Sequence, residues 1–127
     1  MEQNSNIVNV IIAGTRTFDD YDLLCRECDA VLNGKAAKHH ITIFSGCAKG
    51  ADTLGERYAK EHGYDIRRFP ANWKEHGKAA GPIRNARMVA DANILIAFWD
   101  GSSRGTRHII VTAESRGLEV NVVVYNK

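Results

Sequence analysis

Three stretches of this 127-residue chain bring glycine, hydroxyl and cationic side chains together just ahead of a helical pattern. The first is Ser45-Gly46-Cys47-Ala48-Lys49-Gly50-Ala51-Asp52. Its glycines let the backbone turn closely. The amides that open a helix, with the positive end of its dipole, suit an anion. Lys49 adds charge, and Asp52 falls in the first helical turn, where an acid also complements the dipole of an ordinary turn. The spacing is not GxxxxGK[ST], so this is no Walker A loop. Trp99-Asp100-Gly101-Ser102-Ser103-Arg104-Gly105-Thr106 repeats the theme, and its Ser and Thr residues could equally be helix caps. Gly14-Thr15-Arg16 closes the first apolar run with a tight turn, and Thr15 and Arg16 are candidate donors to phosphate or ribose. The dinucleotide fingerprint GxGxxG is absent.

The segment Phe69–Met88, FPANWKEHGKAAGPIRNARM, carries the densest chemistry. Pro70 opens a loop bearing Trp73, Lys74, His76 and Lys78, which enters a helix through Gly81-Pro82. Arg84 and Arg87, three apart, share a helix face, and guanidinium forks suit phosphate or carboxylate. Trp73 could stack on a base or pin the loop to the body. Cys25 and Cys28 form a CxxC inside a helical pattern, on the stripe with Leu24 and Leu32, which reads as buried structural thiols. With Cys47 alone elsewhere and His39-His40 lacking ligand spacing, neither a metal nor a cofactor is expected.

These loops need a scaffold, and the pattern supplies one. Five apolar runs are expected as strands: 8–13, 41–44, 65–69, 93–98 and 120–125. Helical patterns follow the first four, over 20–33 with Gly34 as its stop, 51–62 stopped by Gly63, 82–91, and 106–116 stopped by Gly117. Strands two, four and five are nearly continuously apolar, which anticipates helices on both faces. The alternation predicts an α/β fold, a Rossmann-like three-layer domain over residues 1–127 with a mainly parallel five-stranded sheet. In such sheets ligands bind beyond the carboxyl ends of the strands, where these loops lie.

Length and composition agree with one domain. Apolar residues make up 44%, which argues against disorder. No run reaches the ~18 apolar residues of a membrane helix, and the polar N-terminus lacks a signal-peptide pattern, so a cytoplasmic location is expected. The net charge of +2 argues against a polybasic nucleic-acid binder. The charges are unevenly placed, however. Arg16, Lys49, Lys74, Lys78, Arg84, Arg87, Arg104 and Arg107 fall in or beside the loops, against Asp52, Glu75 and Asp100 among the acids when Asp19 and Asp20 are assigned to the first helix.

Together SGCAKGAD, FPANWKEHGKAAGPIRNARM, AFWDGSSRGT and the opening GTRTF resemble the YspA-type, YpsA-related branch of the SLOG superfamily, found in bacteria and their phages. The resemblance runs from the first strand to the last. It implies a Rossmann-like fold in a superfamily that includes LOG phosphoribohydrolases, DprA single-strand DNA binders and nucleotide sensors. It also implies ligand contacts at Gly14, Thr15, Arg16, Ser45, Gly46, Lys49, Gly50, Asp52, Arg84, Asn85, Gly101, Ser102, Ser103, Arg104, Gly105 and Thr106; the residue reading adds Trp73, Lys78 and Asp100. The LOG motif PGGxGTxxE is altered, with Ile109 where its glutamate would stand. Asp52, Glu56 and Asp100 are the carboxylates that could replace it. The leading expectation is therefore binding of a nucleotide or nucleotide-derived ligand, ADP-ribose-type or nucleoside phosphate, by a sensor or sequestering protein. The alternative is an N-glycosidic-bond hydrolase or transferase, with single-stranded DNA binding behind both. No membrane partner is expected, and relatives that pair through helices suggest a homo-oligomer.

Overall fold

The computed structural model describes residues 6–126. The elements in chain order are β1 (Ile7–Gly14), α1 (Tyr21–Ala36), β2 (His40–Ser45), α2 (Ala51–His62), β3 (Asp65–Arg68), α3 (Trp73–His76), α4 (Ala80–Asp91), β4 (Ile94–Trp99), α5 (Arg104–Ser115) and β5 (Glu119–Val124). A 3₁₀ turn, Gly77–Ala79, joins α3 to α4. The sheet runs β3-β2-β1-β4-β5, and every pairing is parallel.

Alternation along the strands assigns each helix to a face. Val10 and Ile12, Ile41 and Ile43, and Ile94, Ile96 and Phe98 pack with Leu24, Cys28 and Leu32 of α1 and Ala51, Tyr58 and Ala59 of α2. Residues of the other parity, Ile11, Ala13, Phe44, Leu95 and Ala97, meet Met88 and Val89 of α4 and Ile109, Ile110 and Ala113 of α5. Burial of both faces explains the continuous apolar runs of β2 and β4. Asp20 caps α1 by accepting from the Leu23 amide at 3.0 Å. Gly63, at φ +72°, ends α2 in the left-handed conformation that glycine adopts without strain.

Three expectations change. Gly34 does not stop α1, which continues to Ala36; Gly34 lies exposed within the helix, where an interior glycine is tolerated at modest cost. The long loop before α4 is itself ordered, as α3 and the 3₁₀ turn. Asn72 starts it by accepting from the Glu75 amide at 3.0 Å. Finally, β5 is not covered on both faces: it is the sheet's edge, and Val122 and Val124 are exposed.

The order places β1 beside β4: from β1 the chain moves outward through β2 to β3, then crosses back to β4 on the other side of β1 and continues to β5. The carboxyl ends of these two strands form the switch point where a crevice opens in such sheets.

Candidate functional site

At this switch point two adjoining cavities, of about 400 and 450 Å³, share walls formed by Arg16, Ala48, Trp73 and Arg84. Three helices open onto the larger one. Ala48 and Asp52 represent the start of α2, Gly81 and Pro82 that of α4, and Ser103, Arg104 and Gly105 that of α5. Each helix turns the positive end of its dipole toward it. Among the described residues, the linings hold Arg16, Lys49, Arg84 and Arg104 against one carboxylate, Asp52.

Asp52 is 5% exposed. Its Oδ2 accepts from the Ala48 amide at 3.1 Å. Burial raises its pKa to about 6, outweighing that hydrogen bond and the field of the nearby Arg84 guanidinium. Arg84 spans the cavities. It donates from Nη1 to the Gly46 carbonyl and from Nε to Asn85 Oδ1 at 2.9 Å. Because a guanidinium only donates, it fixes the Asn85 amide with its oxygen toward Arg84 and its NH₂ toward His108 Nδ1, at 3.1 Å. An NH₂ in turn requires an acceptor, which places the His108 proton on Nε2. The chain Gly46–Arg84–Asn85–His108 thus ties the β2 loop to α4 and α5.

The glycines permit close approach. A Cβ at Gly14 would lie 2.2 Å from the Phe98 carbonyl oxygen, and one at Gly50 2.4 Å from those of Thr15 and Arg16. Trp73, 51% exposed, stands between the two cavities.

Of the residues singled out in the sequence, Gly14, Arg16, Gly46, Lys49, Asp52, Trp73, Arg84, Asn85, Ser103, Arg104, Gly105 and Thr106 line the cavities. Others serve as supports. Thr15 donates its amide to Phe98 and accepts from the Asp100 amide on Oγ1, stitching β1 to β4. Ser45 Oγ accepts from the Cys47 amide at 3.1 Å. Gly50 caps α2 outside the linings. Asp100 Oδ1 accepts from the amides of Ser102 and Ser103, both at 2.9 Å, and so shapes the Gly101–Ser103 turn. Lys78 is exposed in the 3₁₀ turn, away from both cavities. Glu56 also lies outside: burial would raise its pKa, but hydrogen bonds from Arg68, at 2.8 Å, and from Ser45 hold it below the ordinary range.

Pro82, expected as the entry to α4, also lines the larger cavity, and so does His108, which no sequence motif singled out. The signal was present for His108, which stands three residues after Gly105 and therefore on its helix face. Cys47 also lines the smaller cavity, with its backbone at φ +67°. In α1, Cys28 is buried, Cys25 is partly so, and neither forms a disulfide. Burial pushes the Cys28 thiol above its ordinary range. Among the described residues no cluster of three or more His, Cys, Asp or Glu is placed to hold a metal, and no helix is long and apolar enough to cross a membrane.

An all-parallel 3-2-1-4-5 sheet with a cationic crevice at its switch point defines a Rossmann-like domain. The chain belongs to the YspA, cpYpsA-related SLOG family, whose profile matches residues 8–76. The Gene 61 protein of Mycobacterium phage D29 is 35% identical over 121 residues, covering 87% of this chain and 92% of that protein. Among solved structures, that of TM1055, a structural-genomics target, superposes with a TM-score of 0.63 at 17% identity, over 89% of this chain and 72% of that one. The profile match ends at His76, so the roles of Arg84, Asn85 and the 99–106 loop rest on geometry.

Proposed function

We propose that the cleft binds a nucleotide or nucleotide-derived ligand, as a sensor or sequestering protein. The observation that carries this reading is the convergence of three helix N-termini and four cationic side chains on one crevice with a single carboxylate. In this reading the Arg104 and Gly105 amides, with the Arg84 and Arg104 guanidiniums, hold phosphate. Trp73 offers a face to a base, and the Nε2–H tautomer of His108 supplies a donor. Calorimetry against nucleoside mono- and diphosphates and ADP-ribose tests it. Arg104→Ala removes an exposed charge and should weaken binding about tenfold while leaving the melting temperature unchanged. Folded protein that binds none of these compounds overturns the reading.

One observation favours a second reading, cleavage at an N-glycosidic bond. Asp52 is the carboxylate in the cleft, and a pKa of about 6 lies near the range useful to a general acid or base. Glu56 and Asp100, outside the linings, are less suited. Ile109 forms part of the cavity wall and is 2% exposed, offering nothing to an oxocarbenium ion. Free base released from nucleoside monophosphates, and lost in Asp52→Asn, would support cleavage; no release leaves a binder. Single-strand DNA binding is disfavoured, because among the described residues Trp73 is the one aromatic of the exposed large hydrophobics and such binding needs successive stacking platforms.

A further inference from the structure

The two edges of the sheet are unlike. The β3 edge is four residues long and charged, and Arg67 lies across the rings of Phe44 and Phe69 at 5.3 and 4.8 Å from their centroids. Short charged edges resist pairing with another chain. The β5 edge is six residues long, EVNVVV, and exposes Val122 (39%) and Val124 (65%). Both have the parity of Val120, which packs in the α5 layer, so they lie on that face of the sheet.

Helix α5 adds a charged flank. Ile109, Ile110 and Ala113 face the sheet, and His108 faces α4 through Asn85. At 100° per residue the flank turned away from α4, toward the β5 edge, carries Arg107 and Glu114, while Val111, three residues after His108, points away from the sheet. Val111 is 56% exposed. Arg107 and Glu114 are exposed, with no ion pair among the described residues.

We propose that a second copy of this chain docks here, pairing β5 with β5 antiparallel about a two-fold axis normal to the sheet. This continues the two sheets as one and leaves both α5 helices on the same face, antiparallel. Because α5 lies over β4 and β5, the two helices would be about two strand spacings apart, ~10 Å, within the range at which helices pack. The flank is self-complementary. A two-fold axis level with Val111 brings Arg107 of each copy within a turn of Glu114 of the other. Val122 and Val124 then close under the helix pair. The interface is isologous, as expected of a two-fold dimer, and independent of any ligand in the cleft.

Sedimentation velocity on the full chain tests this. The wild type should be dimeric. Val122→Lys and Val124→Lys alter exposed side chains, so the fold should persist by circular dichroism, while the dissociation constant rises about a hundredfold or more from burying a lone charge. Arg107→Glu should weaken the dimer, and Arg107→Glu with Glu114→Arg should restore it. A monomeric wild type, a dimer indifferent to both lysine variants, or failure of the charge swap to restore association overturns the proposal.

Discussion

The loops after β2 and β4 look interchangeable as sequence: glycines, hydroxyls and a cation running into a helix. They are built differently. In the β2 loop the amides turn inward, with Cys47 donating to Ser45 and Ala48 to Asp52, and Arg84 binding the Gly46 carbonyl from another helix. It is wedged against β1, so that Gly50 meets the carbonyls of Thr15 and Arg16. The β4 loop closes on itself. Asp100 takes the amides of Ser102 and Ser103, and Ser103 caps α5 through Thr106. Gly101 and Gly105 face open space. One loop depends on long-range contacts for its shape; the other carries its shape within a few residues and leaves the opening amides of α5 toward the cavity.

Gly50→Ala should separate them most. The residue sits at φ +76°, where an L side chain is strained, and the new Cβ would meet backbone oxygens at 2.4 Å. Nothing flexible can yield there, so β1 and the start of α2 must part. A loss of about 3 kcal/mol or more in urea unfolding is expected. A loss below about 1 kcal/mol would mean that the wedge relaxes easily and that the β2 loop does not depend on it.

Next in size is a pH effect confined to the β2 loop. Folding raises the Asp52 pKa from 3.8 to about 6, so the folded state holds this proton more tightly than the unfolded chain. The resulting stability is fully present below the ordinary carboxylate value and is lost as pH rises through about 6. The difference corresponds to about 3 kcal/mol. Asp52→Asn should remove this dependence, so that wild type loses stability relative to the variant between pH 4 and pH 7. Parallel pH profiles for the two proteins would show that the carboxylate is solvated rather than buried.

These contrasts mark what was legible in the sequence. Periodicity located all five strands and four helices, because each apolar run and helical stripe is a local record of burial on a layered sheet. It placed the ends of α2 where they fall, since Gly50 and Gly63 punctuate both. It missed the order in the loop before α4, where α3 is short and starts from the local bond between Asn72 and the Glu75 amide, with no apolar stripe. It overstated the burial of β5, because a valine-rich edge strand and a covered strand have the same composition. In the site, residue type found Arg16, Asp52, Arg84 and Arg104, whereas Glu56 and Lys78 were nearby in sequence but turned elsewhere in space. The burial that raises the Asp52 pKa and the Arg84–Asn85–His108 chain depend on α2, α4 and α5 meeting, which no local pattern records.

The smallest effect has the opposite sign. Gly105 lies in the first turn of α5, and a Cβ there meets nothing within 4 Å. Gly105→Ala lowers the entropy of the unfolded chain and improves helix propensity, so it should stabilise the fold by about 0.5 kcal/mol. The same methyl enters the wall of the larger cavity, beside the amide assigned to phosphate. If that assignment is right, the variant melts slightly higher and binds a nucleoside phosphate several-fold more weakly. Glycine would then be held at position 105 for access to the amide, and at position 50 for the backbone that crosses it. Unchanged affinity together with the gain in stability would remove the β4 loop from the binding surface, leaving the phosphate to Arg84 and the α2 opening.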